Sequence, residues 1–149
     1  MKVLFVLLAL MSLNLSANDD HLILEAIADQ ETGHLSNPVL AVGDRGRAVG
    51  RYQMHRRAWK CAELQLMREG CQSFSRSEWR NPEAQDATAL AYIRYIRARL
   101  RALGVQPTPG RIALAWNKGV KSAHLTLWRL NAYAQRVQNL VDARKQRQR

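Results

Sequence analysis

Apolar residues along this chain recur mainly at three- and four-residue steps, the period of helices packed against one another. The first such run opens near Asn18-Asp19-Asp20, which supply capping and first-turn residues. It continues through Leu22, Ile23, Ala26 and Ile27 to Gln30-Glu31, where Gly33 stops it. From Gly33 to Gly50 the periodicity fades and four glycines and one proline intervene, so a long irregular loop is expected, of the kind that is usually functional inside a small domain. A second helix is expected from near Met54, carrying Trp59 and Leu64 and ending before Gly70. The longest begins at Asn81-Pro82, with proline at the first helical position, and ends at Leu103-Gly104. Ala89, Ile93, Ile96, Leu100 and Leu103 form its buried stripe, and Arg94, Arg97 and Arg101 read as a solvated flank. After Pro107-Thr108-Pro109 the segment Ile112–Trp116 has no polar face and reads as a central, buried helix. Two shorter helices around Leu125–Arg129 and Tyr133–Ala143 complete an all-α globular bundle.

The two ends of the chain change this picture. Met1-Lys2 and the apolar run Val3–Met11, followed by Ser12-Leu13-Asn14-Leu15-Ser16-Ala17, read as a signal peptide over residues 1–17. A membrane span needs about 20 apolar residues, and this run breaks at Ser12 and Asn14. Export to the periplasm or the extracellular space is therefore expected, with no stable membrane anchor once the signal is removed. Residues 18–149 are enough for one domain with a single core. Cys61 and Cys71 are close in sequence, and in an oxidising compartment the default is a disulfide closing a small loop; two separate thiols are the alternative. No second Cys/His pair has ligand spacing, so no metal is expected. The basic end, Ala143–Arg149, reads as a frayed, solvated tail.

The net charge of +11 predicts affinity for polyanions. Nucleic acid is one candidate on charge alone, but for an exported chain the nearer polyanions are wall polymers and anionic surfaces. No nucleic-acid partner is expected, and a monomer is.

Glu31 carries the chemical signal. It falls at the C-terminus of the first helix, where the negative end of the dipole disfavours another negative charge and raises its pKa. A carboxylic acid kept protonated near neutral pH is what glycosidic cleavage requires, because the leaving oxygen must receive a proton as its bond breaks. In isolation such a residue is more often a tolerated surface glutamate. Its neighbours in sequence argue otherwise.

Glu31-Thr32-Gly33, then Gly43-Asp44-Arg45-Gly46, then Gly50-Arg51-Tyr52-Gln53 follow the order and approximate spacing of motifs in soluble lytic transglycosylases and goose-type lysozymes. Ala113–Gly119, with Asn117, is similar to that superfamily's Ala-x-x-Tyr-Asn-x-Gly motif. Tyr133-Ala134-Gln135-Arg136-Val137 resembles its late Tyr-x-x-x-Val helix. The resemblance spans roughly residues 20 to 141 and implies a lysozyme-like helical domain with a long active-site loop after the first helix. It implies Glu31 as general acid/base, with Gln53, Asn117 and Tyr133 orienting muramic acid, Tyr52 stacking on or bonding to a sugar, and Thr32 keeping the hydroxyl of the family's serine. It also implies peptidoglycan glycan strands as partner and no cofactor.

Two departures bear on mechanism. The family's Gly-Leu-Met-Gln is the more polar Gly50-Arg51-Tyr52-Gln53 here. Goose-type lysozymes carry two further aspartates that position a water; Asp44 matches the first, and His55 occupies the place of the second. The expected reaction is therefore non-hydrolytic, leaving 1,6-anhydromuramic ends. A muramidase in which Asp44 assists water, and a wall-binding module without turnover, are the alternatives. The four tryptophans, Trp59, Trp79, Trp116 and Trp128, are expected in the core rather than as sugar platforms.

Overall fold

Asn81 accepts a hydrogen bond from the Glu83 amide at 3.0 Å, and Pro82 follows it at the first turn, so the longest helix starts where its capping residues place it. The structure is a computed structural model that describes residues 19–148; the expected signal peptide lies outside the described residues. Helix α1 covers residues 19–32. Three two-residue strands follow, β1 (Val42–Gly43), β2 (Ala48–Val49) and β3 (Met54–His55). Helices α2 (Arg56–Arg68), α3 (Pro82–Ala102), α4 (Pro109–Lys118), α5 (Val120–Leu125) and α6 (Ala132–Arg147) complete the chain. Helix accounts for 68% and strand for 5%, so the expected all-α class holds with one small sheet added.

The core is a continuous cluster drawn from every α-helix. Ile23 and Ile27 of α1, Trp59 of α2, Ile93, Ile96 and Leu100 of α3, Ile112 and Leu114 of α4 and Val137 and Val141 of α6 are almost fully removed from solvent. Each such side chain contributes about 1.5–3 kcal/mol by burial. Helix α4 is the buried central helix its composition predicts, flanked by α3, α5 and α6. Of the tryptophans, Trp59 is fully buried and donates to Phe74 O at 2.9 Å; the other three are half-buried at the edge of the core.

The structure corrects five sequence expectations. The segment after α1 is not wholly irregular: residues 42–55 form a three-stranded antiparallel sheet in the order β1-β2-β3, with Val42 opposite Val49 and Ala48 opposite His55. Strands this short carry too little alternation to be visible as a period. Second, the expected helix at 125–129 lies earlier, at α5, because Leu127 and Trp128 take left-handed backbone angles (φ 51° and 59°) that no helix accommodates. Third, the basic tail is helical to Arg147. Arg144 pairs with Glu25 and Asp29, and Lys145 with Asp19, so the acidic face of α1 holds it.

Fourth, the arginine row on α3 is not a uniform solvated flank. Arg94 forms a two-pronged pair with Glu69 at 2.9 and 2.7 Å, and Arg97 pairs with Asp20 of α1 with side chains only 11% and 7% exposed. Arg101 alone matches the expectation. Leu103, the last residue of the predicted stripe, is 42% exposed because α3 ends before it. Fifth, Cys61 and Cys71 are both free thiols. Cys71 N bonds to Leu66 O beyond the end of α2, and Leu66 lies about 7.5 Å along the axis from Cys61. A disulfide needs Cα atoms within about 7 Å and converging Cβ vectors. Cys61 instead faces Tyr95 of α3.

Candidate active site

Glu31 is the penultimate residue of α1, and Tyr133 stands in the first turn of α6. The two meet: the Tyr133 hydroxyl donates to Glu31 Oε1 at 2.8 Å. Burial raises the Glu31 carboxyl above its ordinary range, while the hydrogen bond from Tyr133 pulls in the opposite direction and only partly offsets it. The C-terminal end of the helix adds a push of the same sign as burial. Tyr133 is raised far above the ordinary phenol range, first by burial and then by the adjacent Glu31 carboxylate, so it stays a donor at every working pH.

Tyr133 is placed by its cap. Asn131 accepts from Ala134 N at 2.8 Å, which starts α6 and aims its first turn at the end of α1. The same Asn131 donates through Nδ2 to Asn117 Oδ1 at 3.0 Å. Asn117, exposed at the end of α4, is thereby linked through one cap to the residue that holds Glu31.

The small sheet is pinned between α1 and α3 through a single residue, Arg51. Thr32 Oγ1 donates to Arg51 O at 2.7 Å, and Gln85 Oε1 accepts from Arg51 N at 2.8 Å. Gln85, almost fully buried, also donates to Val39 O at 2.8 Å and Trp79 O at 2.6 Å. All its bonds therefore serve backbone that no strand or helix would otherwise satisfy. Gly50 is required beside it, because its φ is +73° and a Cβ there would lie 2.5 Å from the Gln85 amide. Nothing in the sequence pattern distinguished Gln85 from an ordinary polar residue in a first turn.

Two expected substrate residues are consequently structural. Thr32 is 1% exposed and its hydroxyl is directed to backbone carbonyls. Tyr52 is 3% exposed, with its hydroxyl donating to Asp86 at 2.6 Å; burial and then Asp86 raise its phenol far above the ordinary range. Neither presents a face to a sugar. The dipeptides that carry them are where the loop is anchored to the helices.

Gln53 has φ 46° and closes a tight turn in which both its amide N and its Nε2 donate to Gly50 O, at 3.1 and 2.9 Å. Its side chain lies against Gly43, where any Cβ would collide with Oε1. Asp44 and Arg45 are also left-handed, at φ 47° and 56°. Three of the five non-glycine residues with positive φ among the described residues therefore fall in the turns that connect the strands of this sheet, and such strain concentrates at functional sites. Asp44 is exposed; it accepts from Arg47 at 2.8 Å and lies 3.6 Å from His55 Nε2. The residue in place of a second aspartate thus lies beside the first.

Gln53, His55 and Asn117 share the wall of a cleft of about 760 Å³ between α2, α3 and the α4–α5 corner. Tyr92, Tyr95 and Trp116 give it an aromatic side, with Tyr92 and Tyr95 stacked at 5.9 Å and Tyr92 meeting Trp116 edge-on at 5.1 Å. Glu31, Tyr133 and Asp44 are not part of that wall. Of the seven residues expected to contact or convert substrate, the structure joins Glu31 to Tyr133 directly. It puts Gln53 and Asn117 in the wall of one cleft, sets His55 beside Asp44, and withdraws Thr32 and Tyr52 into the interior. Among the described residues no group of three or more His, Cys, Asp or Glu could hold a metal ion, and no helix is long and apolar enough to cross a membrane.

Compared with protein-family models, with curated proteins and with solved structures, the chain matches none.

Proposed function

We propose that this chain is a peptidoglycan lytic transglycosylase with a lysozyme-like fold, cleaving the β-1,4 bond between N-acetylmuramic acid and N-acetylglucosamine. The observation that carries the reading is the half-buried Glu31 carboxyl, raised by burial and oriented by Tyr133 at 2.8 Å. Protonated Glu31 delivers its proton to the glycosidic oxygen as that bond breaks, and the resulting carboxylate takes the proton of the muramoyl 6-hydroxyl as its oxygen closes on C1. Glu31 then stands protonated again, and water is not consumed. An intramolecular nucleophile gains from enforced proximity and needs no second carboxylate.

Asp44 supports this route over hydrolysis. It is exposed, with Oδ1 accepting from Arg47 at 2.8 Å and Oδ2 lying 3.6 Å from His55 Nε2, so both of its oxygens already have neighbours with which an activated water would compete. Inverting hydrolases hold their two carboxyls about 6.5–9.5 Å apart with a water between them. Gln53 and Asn117 offer amide donors and acceptors suited to N-acetyl and hydroxyl groups. Digestion of purified walls followed by mass spectrometry tests the reading. Anhydro-ended muropeptides, lighter by one water, are expected; reducing ends indicate the muramidase, and undigested walls a binding module without turnover.

A further inference from the structure

The cleft beside Gln53 and Asn117 has a one-sided charge. Arg57 of α2, Arg99 of α3, and Lys118 and Lys121 at the α4–α5 corner all line it, together with His55 and His124, and its wall contains no aspartate or glutamate. Four arginines elsewhere have an acidic partner, Arg47 with Asp44, Arg94 with Glu69, Arg97 with Asp20 and Arg144 with Glu25 and Asp29, whereas most of the others among the described residues have none. Arg57, Arg99, Lys118 and Lys121 form no ion pair among the described residues, although Asp and Glu are available elsewhere on the surface. Four such cations around one concavity sum to a local positive potential that an anion seated among them would meet. Between the cations lie the stacked rings of Tyr92 and Tyr95 and the edge of Trp116, which suit small apolar groups more than a second layer of charge.

We propose that this cleft binds the carboxylate-bearing peptide stems of the glycan strand, so that the protein discriminates peptide-substituted strands from denuded ones. This rests on the glycan-cleavage reading for the identity of the strand. The ligand chemistry follows from the wall itself: several carboxylates spaced along a short chain meet Arg57, Arg99, Lys118 and Lys121, while methyl-bearing residues between them lie on the aromatic side. Gln53 and Asn117, on the same wall, place the sugar from which the stem departs. A nucleic-acid strand carries one charge per nucleotide along a uniform backbone and would seek a basic track; here the cations converge on a single hollow.

Equilibrium binding of the full chain to the disaccharide–peptide unit of peptidoglycan, which lacks the cleaved bond, tests this against the same disaccharide with its peptide removed. The peptide-bearing unit is expected to bind about tenfold more tightly at low salt, with the advantage shrinking as salt rises. Arg57→Gln with Arg99→Gln should remove most of that advantage, and Lys118→Gln with Lys121→Gln, at the α4–α5 corner, should do the same independently. These side chains are exposed, and unchanged circular dichroism would show that the fold persists. Equal affinities for the two ligands, or double variants that retain the preference, overturn the proposal. Failure of the two readings is distinguishable. Walls cut to anhydro ends without any peptide preference remove the anion site and leave the cleavage. A peptide preference without wall cleavage retains the anion site and removes the enzyme.

Discussion

Tyr133 donates its phenolic hydrogen to Glu31 Oε1 at 2.8 Å across 102 positions of sequence, joining the first turn of α6 to the last turn of α1. The bond opposes the effect of burial on Glu31 and fixes which carboxyl oxygen remains free. Tyr133→Phe is expected to lower wall-lytic turnover by about tenfold or more, the worth of one hydrogen bond to an ionisable group. Because the lost bond is one that lowers the Glu31 pKa, the basic limb of the pH–rate profile should move to higher pH. A profile that keeps its position would show that Tyr133 does not act through Glu31.

Glu31→Gln should reduce turnover by about 10²–10⁴-fold, the usual contribution of a positioned acid/base. Its effect on stability has the opposite sign. A carboxyl whose folded-state pKa is raised contributes stability that is present below its unfolded pKa and is lost as pH rises through the folded one. The variant should therefore melt at the same temperature as the parent or higher at neutral pH, with the gap closing in acid. A clear loss of Tm at pH 7 would contradict burial as the main influence on this group.

Asp20 and Arg97 form a pair almost closed to solvent between α1 and α3. Burial dominates for Asp20 and raises its pKa in spite of Arg97. Asp20→Ala leaves the guanidinium buried with only Pro107 O, at 3.5 Å, as a remaining partner. A loss of about 3–5 kcal/mol in denaturant unfolding is expected. A loss below about 1 kcal/mol would mean that water reaches Arg97 freely.

Gln85→Ala should leave Arg51 N, Val39 O and Trp79 O without their partner, at a cost of about 2 kcal/mol or more. Gly50→Ala should be similarly harmful, because it adds left-handed strain to a clash with that same amide. In both, amide hydrogen exchange should quicken across residues 42–55 before it does in α3. Uniform exchange throughout would show that Gln85 does not pin the sheet.

The two thiols should titrate with a disulfide reagent in the native protein, Cys71 faster than the less exposed Cys61. Reducing agent should leave Tm unchanged, whereas a closed bond over so short a loop would contribute about 3 kcal/mol.

The helical class, the start of α3 and the buried character of α4 were legible in the sequence. They depend on local matters: three- and four-residue spacing, a cap at Asn81 and the absence of polar positions from Ile112 to Ala115. Glu31 was legible as a candidate for the same reason, since a helix end is a local property. Thr32 and Tyr52 were misjudged because a hydroxyl looks alike in sequence whether it faces a ligand or the Arg51 carbonyl or Asp86. The small sheet escaped notice because each of its strands is two residues long.

What the sequence by itself determined is therefore the set of helices and a carboxyl at the end of the first, because nearest-neighbour physics specifies both. Only the tertiary structure decided which groups meet. It placed Tyr133 on Glu31, Asn131 between Asn117 and α6, and four unpaired cations around one cleft. Pairings of this kind depend on how the helices pack, and packing is decided by the whole core at once.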